Sequence, residues 1–198
     1  MKHRQPTLDR RRAVADILER RGDALVVAGL GAPCWDTAAA DRSPLNFYLW
    51  GGMGGAGMIG LGLALAQPKR RVLVITGDGE MLMGLGSLAT IGVQQPRNLA
   101  IIVMDNERYG ETGMQITHTR LGVELAGIAR ASGFRAAGTI YTPAQLKTWI
   151  ARCYRQPGPV FAAIKVTTNP APMVLPVRDG ATLKTRFRQA LLGDKALA

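Results

Sequence analysis

Four almost wholly apolar runs constrain this chain more than anything else in it. Residues 25–30, 72–76, 99–104 and 160–166 are short and rich in valine, leucine and isoleucine. They lack the strict alternation of a half-buried strand, so they read as strands buried on both faces. The stretches between them carry helical signals. Residues 8–21 place Ala13, Val14, Ile17 and Leu18 on one face, and residues 54–66 read as a helix packed closely through Gly57, Gly60 and Gly62. Residues 80–93 and 121–132 read as further helices, and residues 143–154 as one opening on Pro143 in its first turn. Residues 46–50 and 134–137 read as short extended pieces and 105–120 as a polar loop. Buried strands alternating with helices predict an α/β fold: a three-layer parallel sheet with helices on both faces.

A length of 198 residues suits one such domain, spanning 1–198, with a basic N-terminal helix and a Pro-containing arm from about residue 168. No apolar run reaches the roughly 20 residues that span a bilayer, and no cleavable leader is evident, so a cytoplasmic protein without a membrane role is expected. Cys34 and Cys153 form no metal-binding or redox spacing and are expected to be packing residues, although Cys34, after a strand end, could line a pocket. The net charge of +11 gathers near the ends, at Lys2, Arg4, Arg10, Arg11, Arg12, Arg20 and Arg21, and at Arg178, Lys184, Arg186 and Arg188. Without a recognition motif, and with few aromatics, this charge reads as solvated helix faces or an interface with an acidic partner rather than as a nucleic-acid site.

The chemistry gathers at two strand ends. Gly77-Asp78-Gly79-Glu80 follows one buried run and opens a helix. The glycines let an anion approach the backbone, and the helix N-terminus presents free N–H groups to it. An aspartate beside an anion needs a cation between them, so Mg²⁺ is implied. The next buried run ends in Asp105-Asn106, with Asn106 lying 28 residues after Asp78. One helix and one strand fill that gap, which brings both strand ends to one edge of the sheet. Asn106 offers a neutral oxygen and the Arg108 backbone carbonyl a third, leaving the rest of an octahedron to phosphate oxygens and water.

This two-part motif resembles the diphosphate-binding signature of thiamine diphosphate-dependent enzymes, with Asp105 standing where that family carries the first of two asparagines. The resemblance extends over residues 25–166. It implies that Gly77, Asp78, Gly79, Glu80 and Asn106 bind the cofactor, with Asp78, Asn106 and the Arg108 carbonyl on the metal. The segment Gly51-Gly52-Met53 ends 25 residues before Asp78. The resemblance makes Met53 the apolar prop that bends the cofactor, and the Gly51 carbonyl the acceptor for its amino group. The run Asp105-Asn106, Tyr109-Gly110, Thr112-Gly113 and Gln115 is similar to the sulfopyruvate and phosphonopyruvate decarboxylases of that family, which places Tyr109 and Gly110 at the cofactor too. Glu107-Arg108 departs from those enzymes, which carry small residues there.

The resemblance implies decarboxylation of a small 2-oxo acid, with the cofactor taking up the electrons released with CO₂. It also implies a glutamate on a separate pyrimidine-binding domain, for which this chain lacks length. Glu80, Glu107 and Glu111 lie on the diphosphate side, so the catalytic glutamate is expected on a partner, a pyrimidine-binding (α) subunit. His118, between Thr117 and Thr119, is a candidate to meet an anionic substrate or relay a proton, against the reading of a solvated loop histidine. Two other functions are weighed: a carboligase or oxidative 2-oxo acid complex subunit on the same cofactor, and a non-enzymatic nucleic-acid-binding module.

Overall fold

Residues 5–197, described by a computed structural model, run through α1 (Arg10–Leu18), β1 (Leu25–Ala28), α2 (Ala32–Ala40), β2 (Asn46–Tyr48) and α3 (Ala56–Ala66). Next come β3 (Val72–Gly77), α4 (Asp78–Met83), α5 (Ser87–Gln94) and β4 (Leu99–Asp105). A small hairpin of β5 (Arg108–Tyr109) and β6 (Gln115–Ile116) leads to α6 (Leu125–Ala131), β7 (Ala136–Ile140), α7 (Pro143–Arg155), β8 (Val160–Lys165) and α8 (Gly180–Leu192). Six strands form one parallel sheet in the order β2-β1-β3-β4-β8-β7.

The apolar runs make this sheet because alternate residues serve opposite faces. Val72, Val74, Leu99 and Ile101 join Leu61, Leu88, Ile91 and Leu125 in one core, beneath α3, α5 and α6. Leu73, Ile75, Ala100 and Ile102 join Val14, Ile17, Leu146 and Cys153 in the other, beneath α1 and α7. Each fully buried valine, leucine or isoleucine contributes roughly 1.5–3 kcal/mol relative to exposure, so the two faces together drive folding. The expected three-layer architecture is the observed one.

Several elements differ from the sequence reading. The helix expected over 80–93 is broken into α4 and α5, because Gly84 lies against the Gly54 loop: a Cβ on Gly84 would stand 2.1 Å from the Gly54 carbonyl oxygen. Helix α2 falls in a stretch assigned no element; Pro33 in its first turn was the available signal. The arm beyond residue 168 ends in α8, whose Leu183 and Phe187 fold back onto the protein. Gly57 and Gly60 are buried as expected, whereas Gly62 is exposed and packs against nothing. The expected loop 105–120 holds the β5–β6 hairpin and two 3-10 turns, and α6 starts only at Leu125.

The N-terminal charge is also placed differently. Arg10 and Arg11 both bind the wholly buried carboxylate of Asp36, with Arg11 Nε 3.0 Å from Oδ1. Arg21 reaches Asp41 at 2.5 Å and also binds Asn46. These arginines staple α1 to α2 and β2; they are not solvated helix faces. Lys2 and Arg4 lie outside the described residues. Among the described residues no helix is long and apolar enough to cross a membrane.

Candidate functional site

The sheet order reverses between β1 and β3: the chain leaves β1 for β2 on one side, while β3 leads to β4 on the other. Such a switch point opens a crevice at the carboxyl ends of the strands. A cavity of about 380 Å³ lies there, lined by Leu30, Pro33 and Trp35 after β1, by 77–80 after β3, and by Asn106 and 108–112 after β4.

Strand register explains how the charged groups meet. Gly77 pairs with Met104, so the residues that follow, Asp78 and Asp105, come side by side. One register step on, Asp105 pairs with Lys165 of β8. Asp78, Asp105, Glu107 and Lys165 are all buried, at 2, 2, 5 and 7 % exposure. Thr117 Oγ1 donates to Asp78 Oδ2 at 2.6 Å, and Thr119 Oγ1 donates to Asp105 Oδ1 at 2.8 Å. Lys165 Nζ lies 2.8 Å from Asp105 Oδ2 and 2.9 Å from Glu107 Oε1. Burial, and then the charge of Asp105, push the Asp78 carboxyl up to about 7. A cation beside Asp78 would relieve both effects. Burial pulls Lys165 down, but its pairing with Asp105 and Glu107 outweighs this and holds it above its usual range.

Asn106 sits at the cavity edge with its Oδ1 accepting the Arg108 amide at 3.0 Å, which leaves that carbonyl oxygen a second lone pair. Tyr109 packs its ring on Gly79: a Cβ there would stand 2.7 Å from two ring carbons. Gly77 and Gly110 line the cavity and would have open space before any Cβ, so the void stands directly over bare backbone. Met53 also lines it, 36 % exposed, with its Cε facing Gly79.

The structure thus gathers Met53, Gly77, Asp78, Gly79, Glu80, Asn106, Arg108, Tyr109 and Gly110 around one void. Gly51 and Gly52 are exposed and stand outside its lining. His118 is exposed at the start of a 3-10 turn and is not among the lining residues. The Glu80 carboxylate turns toward the β1–α2 loop, accepting Thr76 Oγ1 at 2.7 Å and the Leu30 amide at 2.9 Å; burial raises it above its ordinary value. Cys34 is fully buried beside Ala28 and Tyr48 and is not among the lining residues, and burial pushes its thiol up to about 12. Among the described residues no three His, Cys, Asp or Glu side chains are grouped to hold a metal unaided.

Sequence reading missed the α2 side of the cavity and the segment 168–171 that closes another side. It also missed Lys165, whose only signal was a lysine inside an otherwise apolar run.

Comparison with known proteins adds four findings. Residues 31–164 match the family described as thiamine pyrophosphate enzyme, C-terminal TPP binding domain; thiamine pyrophosphate is another name for thiamine diphosphate. The chain is 37 % identical over 186 residues to the sulfopyruvate decarboxylase subunit beta of Methanothermobacter thermautotrophicus, covering 94 % of this chain and 97 % of that one. It is 38 % identical over 144 residues to the phosphonopyruvate decarboxylase of Streptomyces viridochromogenes, covering 73 % of this chain but only 36 % of that enzyme. An X-ray structure described as that of a thiamin diphosphate-dependent enzyme from Mycobacterium smegmatis shares the fold, with a TM-score of 0.69 at 20 % identity, over 82 % of this chain and 32 % of that one.

Proposed function

Since the chain belongs to the thiamine pyrophosphate enzyme family through its TPP-binding domain, we propose that it is the diphosphate- and Mg²⁺-holding subunit of a two-chain 2-oxo acid decarboxylase. Its substrate on this reading is sulfopyruvate or phosphonopyruvate, the acids named by the similar proteins. The observation that carries the proposal is the placement of Asp78 and Asn106 at neighbouring strand ends, facing one void over bare glycine backbone.

These residues fit the cofactor. A buried carboxylate whose charge is uncomfortable without a cation, an amide oxygen with a spare lone pair, and a glycine floor that any Cβ would fill suit a magnesium diphosphate. Asp78, Asn106 Oδ1 and the Arg108 carbonyl would hold the metal. Gly77, Gly79, Glu80, Tyr109 and Gly110 would shape the diphosphate pocket, and Met53 would prop the cofactor from the rim with Gly51 and Gly52 beside it. When bound, thiamine diphosphate supplies the electron sink for loss of CO₂.

The catalytic glutamate is assigned to a pyrimidine-binding α subunit. Glu80 is tied to Thr76 and Leu30, and Glu107 to Lys165, which leaves neither to serve the far end of the cofactor. Exposed Met53 at the cavity, together with exposed Met58 and Met83, offers that partner apolar side chains. Internal pairing withdraws Arg10, Arg11 and Arg21, three of the eleven terminal cations, from any nucleic-acid surface. The buried free thiols accord with the cytoplasmic setting included in this reading.

The test is reconstitution. The chain is mixed with a pyrimidine-binding subunit, thiamine diphosphate and Mg²⁺, and CO₂ release is followed from sulfopyruvate, phosphonopyruvate and pyruvate. Turnover should require both chains and favour the acids with a second anionic group. Substantial turnover by this chain alone would overturn the split site, and preference for pyruvate would overturn the substrate assignment.

A further inference from the structure

Lys165 ends β8 as the one charged residue of that strand and is almost wholly buried. Its ammonium touches Asp105 Oδ2 at 2.8 Å and Glu107 Oε1 at 2.9 Å, the residues immediately before and after Asn106. Arg120 also faces Glu107, more loosely, at 3.7 Å from Oε2. Glu107 has a φ of +62°, a left-handed conformation that a non-glycine residue adopts only when its surroundings impose it. Its amide donates to Asp105 Oδ1 at 3.1 Å, and its carbonyl accepts the Thr117 amide at 3.1 Å. From Asp105 two adjoining hydroxyls lead across to Asp78: Thr119 donates to Asp105, Thr117 donates to Asp78 at 2.6 Å, and the two threonine oxygens lie in contact at 3.0 Å.

We propose that Lys165 is a positioning residue of the metal site: it clamps both neighbours of Asn106, and through the threonine pair it fixes Asn106 and Asp78 relative to each other. The clamp also balances charge. Three carboxylates, Asp78, Asp105 and Glu107, are buried within one network, and uncompensated anions there would repel one another and break the turn. With Lys165 answering Asp105 and Glu107, Asp78 remains to be answered by the cation. The inference about metal affinity rests on the magnesium diphosphate reading above; the inference about loop geometry does not.

The experiment compares the full-length wild type with Lys165→Met, Lys165→Arg and the charge-cancelling pair Asp105→Asn/Lys165→Met. Amide hydrogen exchange is measured over residues 105–119 without ligand, and Mg²⁺ is then titrated at fixed thiamine diphosphate. Lys165→Met should lose protection at this loop and need more Mg²⁺, by at most the roughly 10–100-fold that follows removal of a direct partner of a metal ligand. Arginine should restore both properties, and the double variant should recover part of each, because it leaves no unpaired anion at 105. A residue that merely stabilises the fold would lower the melting temperature and leave the Mg²⁺ requirement unchanged. Wild-type exchange and Mg²⁺ requirement in Lys165→Met would overturn the proposal. Should that variant not fold, failure of both Lys165→Arg and the double variant to recover wild-type protection would overturn it equally. If the wild type binds no magnesium diphosphate, the cofactor reading falls, and the exchange comparison still decides the clamp.

Discussion

Replacing Asp78 with asparagine separates the cost of this carboxylate from its use. The side chain is 2 % exposed, and burial with the neighbouring charge of Asp105 raises its pKa from 3.8 to about 7. A carboxyl raised on folding binds more protons in the folded chain than in the unfolded one. Stability without metal therefore falls as pH climbs from about 4 to about 7, and the loss is complete above that window. A shift of this size corresponds to a ceiling of roughly 4 kcal/mol. Asparagine keeps an oxygen for the Thr117 hydroxyl but must bury an amide donor, so a net gain of about 1–3 kcal/mol is expected near pH 8. Near pH 5, where the native carboxyl is largely neutral, the gain should shrink toward zero. The assay is thermal unfolding of both chains without metal or cofactor at the two pH values, then with Mg²⁺ and thiamine diphosphate. At about 2–4 °C per kcal/mol for a chain of this size, the variant should melt several degrees higher near pH 8. It should then gain nothing from Mg²⁺ and cofactor, which should stabilise the wild type. A variant that is no more stable than wild type near pH 8, or more stable by the same amount at both pH values, would refute the reasoning.

Two other substitutions probe the cavity floor and rim. Gly79→Ala places a methyl 2.7 Å from the Tyr109 ring; a stability loss of about 1–3 kcal/mol in urea unfolding and weaker cofactor binding by calorimetry are expected. Met53→Ala in the reconstituted enzyme should lower turnover more than cofactor affinity, because the prop serves reactive geometry; slower hydrogen–deuterium exchange at the thiazolium C2 is the direct readout.

The layers of the fold were legible in the sequence because buried parallel strands leave no room for polar residues, so 72–76 and 99–104 announced themselves. Helix α2 was not, because its alanine-rich run lacks an apolar period and only Pro33 marked its start. Helix α8 was hidden by its cationic residues, although Leu183 and Phe187 stand four apart on one face. The break at Gly84 depends on the approach of Gly54, a contact between segments distant in sequence. Spacing was enough to bring Asp78 and Asn106 together, since one helix and one strand fix two neighbouring strand ends. Spacing could not reveal Lys165, because the partner of Asp105 is chosen by the β4–β8 register. The N-terminal arginines misled for the same reason: their counter-ion, Asp36, lies on the unforeseen helix.

The most direct test of the central claim is calorimetric titration of the chain with thiamine diphosphate, with inorganic diphosphate and with thiamine, each with and without Mg²⁺. The expected result is binding of both diphosphate compounds only when Mg²⁺ is present, no binding of thiamine, and loss of binding in Asp78→Ala and in Asn106→Ala. Metal-independent binding of either diphosphate, or wild-type affinity in either variant, would contradict the assignment of Asp78 and Asn106 as the residues that hold a magnesium diphosphate.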